Sequence, residues 1–232
     1  MLNIRKSGER GHYDHGWLDT RHTFSFGQFY DPKHLGFRSM RVLNDDIVQP
    51  HTGFGEHEHR NMEIISYPVH GRFAHRDSTG HESSIGPGQV QVMTAGSGIK
   101  HSEFNHSDQP VRFLQIWIQP SQDNLEPTYT ERDFSPTSSN EGLRLLVSPD
   151  GRDESLTIHQ DALISRLLIT QGEQLDIPLD KDRVAWLQVI EGDLSLDGVR
   201  LESGDGVAIE QRSCLRILAK SDLQALLFTL PA

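Results

Sequence analysis

The chain has 232 residues, enough for one large domain or two small ones. A net charge of −11 with the 13 histidines neutral argues against direct nucleic-acid binding, which needs basic groups to neutralise phosphates. One cysteine, Cys214, excludes an internal disulfide framework, and with no secretory h-region or bilayer-length apolar run the expectation is a cytoplasmic protein without a membrane partner.

Along the chain, β-type runs are predicted at 39–43, 62–69, 89–93, 112–118, 143–147, 165–169, 184–190 and 223–230. Turn signals punctuate them, among them Gly86-Pro87-Gly88, Pro149-Asp150-Gly151, Glu191-Gly192-Asp193, Asp197-Gly198 and Gly204-Asp205-Gly206. Many short strands between such turns predict a sandwich, barrel or jelly roll. Helical signals are few; the stretch 156–164 has room for a turn or two. Residues 120–140 are polar and rich in Pro, Ser and Thr, and read as a connection, with Tyr129 and Phe134 packed against something. The cadence of 71–88 recurs around 191–207, as if one β unit were used twice. The division expected is a domain over 1–120, a connection over 121–140 and a second domain over 141–232.

Histidine is the most informative count. Twelve of the 13 fall within residues 1–106, and His159 alone lies in the second half. Two clusters stand out, Gly53-Phe54-Gly55-Glu56-His57-Glu58-His59 running on to Met62-Glu63, and Gly96-Ser97-Gly98-Ile99-Lys100-His101-Ser102-Glu103. Side chains two apart on a strand share a face, so His57 and His59 converge, as do His101 and Glu103 from a facing strand. Three imidazoles and a carboxylate suit a first-row divalent ion with open positions for water, oxygen or substrate. A single His-x-His carries little weight, since about one arises by chance in a chain this rich in histidine. The second cluster adds independent weight, because glycines ahead of a ligand strand allow close backbone approach. On a regular strand Glu63 shares the face of His57 and His59, so spacing leaves Glu63 and Glu103 both open.

The other histidines have blander readings. His12 and His15 sit in a glycine-flanked loop, and His70, His75 and His81 lie in a hairpin where partial exposure is expected. His106 is near the second cluster, at the surface or behind the ligands. Cys214 lacks a neighbouring His or Asp and reads as a small buried hydrophobe. Gly96-Ser97-Gly98-Ile99-Lys100 lacks the order of a phosphate loop, and no Gly-x-Ser-x-Gly elbow is present.

The paired clusters are similar to the two cupin motifs, here Gly53-x3-His57-x-His59-x3-Glu63 and Gly96-x-Gly98-x2-His101-x3-Asn105. More narrowly, the chain resembles the pirin family of bicupins. The resemblance runs through Gly16-Trp17-Leu18-Asp19, His22-Thr23-Phe24-Ser25-Phe26, Leu43-Asn44-Asp45-Asp46, the His57-x-His59 segment, Met62-Glu63 and Met93-Thr94-Ala95-Gly96 on to Glu103. It covers most of residues 10–120, and the C-terminal half matches by cadence only. Glu58 departs from the family, which has proline there; it points away from the ligand face.

The resemblance implies an all-β chain of two stacked cupin (jelly-roll β-barrel) domains, the second without metal ligands. It implies one divalent metal held by His57, His59, His101 and Glu103, with Glu103 rather than Glu63 as the acid ligand and also as a catalytic group. Iron(II) is the expected ion, with manganese, nickel, copper, cobalt or zinc also accepted by such a set. The implied activity is quercetin 2,3-dioxygenase, cleaving a flavonol with O2 and releasing carbon monoxide. Phe24, Phe26, Phe54 and Phe104 are candidate walls of an apolar cavity, and the nine remaining N-terminal histidines are expected to be incidental. The alternative is a non-enzymatic, metal-dependent and redox-sensitive regulator that binds another protein; a hydrolase or isomerase is a third reading. A monomer is expected.

Overall fold

A computed structural model describes all 232 residues. The chain divides into two compact units: a first of Gly11–Ser135 with Leu156–Gln160, and a second of Met1–Arg10, Pro136–Ser155 and Asp161–Ala232. Both are built from antiparallel strands, as the density of turn signals predicts, and the only helices are the 3-10 turns Ser7–Glu9 and Arg152–Glu154. No helix is long and apolar enough to cross a membrane.

In the first unit, a seven-stranded sheet runs in the order Thr128–Asp133, Gln89–Thr94, Glu63–His70, Val111–Ile118, Met40–Val48, Leu18–His22 and Gly11–Asp14. A four-stranded sheet runs Gly53–His59, Ile99–Phe104, Phe73–Asp77 and Glu82–Ile85. Strand alternation explains how one sheet face serves both core and site. Pairing places Leu18 opposite Val48, Thr20 opposite Asp46 and His22 opposite Asn44; Val111, Phe113 and Gln115 then lie opposite Val48, Asp46 and Asn44. One end of this face is therefore apolar. There Leu18, Val48, Val111 and Phe113 pack on Phe73 and Ile85 of the smaller sheet. Further along, the same parity presents Asn44, Asp46, Ser66 and Gln115, which are polar.

In the second unit, the larger sheet includes Leu2–Arg5, Gly206–Ile209, Arg183–Glu191, Leu223–Pro231, Leu163–Ile169 and Gly142–Ser148, in that order. Its four-stranded sheet runs Gln174–Pro178, Cys214–Ala219, Leu194–Leu196 and Val199–Leu201. Its core is a single aliphatic cluster that includes Leu167, Leu187, Val207, Ile217 and Leu227. Cys214 is half-buried rather than inside this core.

Three regions differ from the sequence reading. The stretch 156–164 holds no helical turn: Leu156–Thr157 is a strand and Leu163 begins another. The segment 121–140 contains the strand Thr128–Asp133, which pairs along Gln89–Thr94 and uses Tyr129 and Phe134 to pack. Met1–Arg10 belongs to the second unit, because Leu2 to Arg5 pair with Ile209 to Gly206. Such pairings across the chain length carry no local periodic signal.

Candidate metal centre

The strand Gly53–His59 pairs antiparallel with Ile99–Phe104, so His57 lies directly opposite His101 and His59 opposite Ile99. Beyond His101 the register shifts, and Glu103 meets Phe54 rather than Gly55. This bulge re-aims the strand: strict alternation would send Phe54 to the face opposite His57, and the shift returns it to the cavity. Gly53 is required by the same irregularity, since a Cβ there would stand 2.2 Å from the Glu103 carbonyl oxygen.

The three imidazoles gather tightly, with ring centroids 4.7 Å apart for His57–His59, 4.4 Å for His57–His101 and 4.8 Å for His59–His101. One donor atom from each lies within 4.8 Å of the others. His57 donates from Nδ1 to the Gly55 carbonyl at 2.8 Å, which leaves its Nε2 lone pair free to bind. His101 is 1% exposed, and its Nε2 is buried with no hydrogen-bond partner. A buried orphan nitrogen among imidazoles is what a metal ligand looks like without its ion, so these residues fit a divalent metal. Burial, reinforced by its neighbours, lowers the pKa of His59 to about 4, and the same causes lower that of His101 further. The rings of His59 and His101 are thus kept as neutral donors.

Glu103 adjoins this cluster, 3% exposed, with burial raising its pKa to about 7. Gln115 donates to Glu103 Oε2 at 3.1 Å, and the Ser66 hydroxyl reaches Oε1 at 3.4 Å. The carboxyl is therefore aimed, and it changes charge near neutrality.

The group opens on a cavity of about 370 Å³, within the range of roughly 300–1,000 Å³ common for small-molecule sites. Trp17, Phe26, Phe54 and Trp117 form its apolar wall; Asn44, Asp46 and Gln115 line the polar side. Phe26 stands edge-on to Trp117 at 5.3 Å, and Trp17 edge-on to Phe54 at 5.1 Å. A further recess of about 210 Å³ adds His22 and Thr20 and shares Phe26, Asn44, Asp46 and Phe54. Several buried polar atoms around these spaces lack partners, namely Trp117 Nε1, Asn44 Oδ1 and His22 Nδ1. Asp46 accepts a hydrogen bond from Thr20, and burial outweighs it to raise the Asp46 pKa to about 7.

Four expectations need correction. Glu63 does not share the face of His57: the chain turns after His59, with Asn61 at φ 50°, and Glu63 starts a strand of the larger sheet. There it is buried, accepting from Thr94 at 2.9 Å and lying 3.2 Å from His159 Nδ1. Phe24 is a core residue at 1% exposure, and Phe104, next in sequence to Glu103, falls on the opposite face of its strand, where its ring lies tilted against His106 at 4.7 Å. His75 is not partly exposed but buried at 2%, beside His101. The signal for it was Phe73, whose alternation with His75 and Asp77 marks all three as inward. Finally, His159 sits in the first unit, which consequently holds all thirteen histidines of the chain.

Comparison with known proteins agrees with this geometry. The family model described as pirin matches residues 3–118, and one described as a quercetinase C-terminal cupin domain matches residues 145–230. Quercetin 2,3-dioxygenase of Escherichia coli K12 is 42% identical over 232 residues, covering 100% of this chain and 99% of that protein. A pirin-like protein of Caulobacter vibrioides is 35% identical over 229 residues, covering 98% of each. Among solved structures, the bacterial pirin YhhW of Escherichia coli in complex with nickel(II) superposes with a TM-score of 0.95 at 41% identity. That match covers 100% of this chain and 99% of the other.

Proposed function

The chain belongs to the pirin family, and from that premise we propose that it is a metal-dependent dioxygenase that opens a flavonol such as quercetin with O2, releasing carbon monoxide. The observation that carries this reading is the buried, partnerless Nε2 of His101 inside a triangle of imidazoles, opening on an aromatic-walled cavity. His57, His59, His101 and Glu103 would hold one divalent ion, with iron(II) as the resident metal. That ion would supply Lewis acidity to the flavonol 3-hydroxyl and a site for oxygen activation.

The protein's own groups do the rest. Glu103, held in place by the Gln115 amide, takes the 3-hydroxyl proton. Phe26, Phe54 and the two tryptophans hold a flat aromatic substrate and exclude water. Trp117 Nε1 and Asn44 Oδ1, unpartnered in the protein, offer hydrogen bonds to a polyhydroxylated ligand.

The test is direct. Protein loaded in turn with iron, manganese, nickel, copper or cobalt is mixed with quercetin in oxygenated buffer, and flavonol absorbance and carbon monoxide are followed. Stoichiometric loss of absorbance with carbon monoxide release is expected for at least one metal. A filled site that turns over with none of them sinks the reading.

A further inference from the structure

Behind His101, on the neighbouring strand Phe73–Asp77, lie two groups that the reaction as described does not use. His75 and Asp77 have side chains with 0% exposure, and His75 Nε2 is 3.1 Å from Asp77 Oδ2. Asp77 is itself anchored: the Thr79 hydroxyl donates to Oδ1 at 2.6 Å and the Thr79 backbone N–H at 2.8 Å. Burial opposes its ionisation, but these donors and His75 outweigh it and hold the carboxyl below its ordinary pKa.

The hydrogen positions follow from the contacts. The Asp77 carboxylate only accepts, so His75 Nε2 carries a proton, and His75 Nδ1, which faces the donor-only amide nitrogen of Gln91, presents a lone pair. Two groups face that lone pair, Gln91 Nε2 at 3.4 Å and His101 Nδ1 at 3.4 Å. With His101 Nδ1 donating, the lone pair of His101 must lie on Nε2, the nitrogen already found buried and partnerless. Tyr129 stacks on His75 with centroids 4.7 Å apart and 27° between planes, and its hydroxyl donates to Glu131 at 2.6 Å. The plane of the His75 ring is thus fixed as well as its protonation.

We propose that Asp77 and His75 are positioning residues, a buried carboxylate–imidazole relay that sets the tautomer and orientation of His101 and so tunes its Nε2 for a divalent metal. The proposal rests on the metal-centre reading above, not on the flavonol as substrate. An outer carboxylate behind a ligating histidine raises its basicity, and losing such a partner typically weakens metal binding by 10–100-fold. The competing arrangement is a second cation, since His75, His101 and Glu103 each offer an atom within 4.8 Å of the others.

The experiment combines two readouts that need no turnover. Nitrogen-15 histidine NMR of the metal-free wild-type protein reports the tautomer of His101; chelator competition with nickel(II) reports affinity and stoichiometry. The expected results are an Nδ1-protonated His101 and one nickel(II) per chain. His75→Phe, which keeps a ring against Tyr129, should weaken binding by about 10–100-fold at an unchanged stoichiometry and give His101 a mixed tautomer. His75→Gln, whose amide oxygen accepts the same hydrogen bond, should recover most of the affinity. An Nε2-protonated His101 in the wild-type protein overturns the proposal, as does full affinity in folded His75→Phe. Two nickel(II) per chain, falling to one in His75→Phe, would make His75 a ligand and also overturn it. Should His75→Phe fail to fold, His75→Gln and the wild-type tautomer carry the test. Absence of quercetin turnover with these results intact would instead sink the dioxygenase reading alone.

Discussion

In the second unit, the inner faces of both sheets are closed by aliphatic side chains; Leu187, Val207, Leu215 and Ile217 are each fully buried. In the first unit, the corresponding kind of space is apolar only at one end and then turns polar. It encloses His75, His101, Glu103, Asp46 and Gln91, all buried, and it leaves His101 Nε2, Asn44 Oδ1 and Trp117 Nε1 without partners. Buried groups without partners are costly, by about 1–3 kcal/mol each. One β architecture thus supports two interiors, one that maximises its own packing and one whose polar groups are completed from outside. The contrast locates the chemistry better than the histidine count does, because it names unmet bonds rather than residue types.

The strongest way to break this contrast is to remove the orphan nitrogen. His101→Ala should weaken metal binding at least about 100-fold and abolish turnover, measured by metal analysis after dialysis and by flavonol absorbance; full occupancy would refute the ligand assignment. Next, Leu187→Ala in the aliphatic interior should cost about 2–5 kcal/mol in denaturant unfolding while nickel(II) affinity stays unchanged. A matching loss of affinity would show that the two interiors are not energetically separate.

A smaller effect, of opposite sign, is expected at Asp46. Its folded pKa of about 7 exceeds the ordinary aspartate value of 3.8, so the folded state keeps a proton that the unfolded chain has already lost. Its contribution to stability is complete below about pH 4 and is lost as pH rises through 7. Asp46→Asn removes that loss and still accepts from Thr20. The metal-free variant should match wild type near pH 4 and exceed it by a few kcal/mol at pH 8, read from urea unfolding at the two pH values. A constant difference across pH would show that Asp46 ionises freely. Least in size, Trp117→Phe keeps the ring and deletes the unpartnered N–H. It should raise KM for quercetin by about fivefold with kcat little changed, the worth of one hydrogen bond; an unchanged KM would remove Trp117 from substrate recognition.

What could be read in advance depended on the range of the information. The eight predicted β runs correspond to strands such as Gln89–Thr94 and Val111–Ile118, because alternation and turn chemistry act over a few residues. Convergence of His57 with His59 followed from strand parity, while the choice of Glu103 over Glu63 came only through family resemblance. The structure removes Glu63 from the face of His57, because a turn at Asn61 ends the strand before it. The bulge that turns Phe54 inward depends on which strand lies alongside, and no local pattern encodes that, whereas the alternation of Phe73, His75 and Asp77 is itself a local sign that His75 faces inward. Phe104 stands one residue from Glu103 on the same strand, and that position sends its side chain to the opposite face whatever its aromatic character.

The pairing of Leu2–Arg5 with Gly206–Ile209 has a bearing on how the chain is made. About 200 residues separate this strand from its partner, some 10–40 s of translation at ~5–20 residues per second. The second unit can close its larger sheet only once Gly206–Ile209 and Leu223–Pro231 have been made. The histidine-bearing unit includes no residue beyond Gln160. His57, His59, His101 and Glu103, the proposed ligands, are therefore all synthesised before the strands that close the second unit's larger sheet.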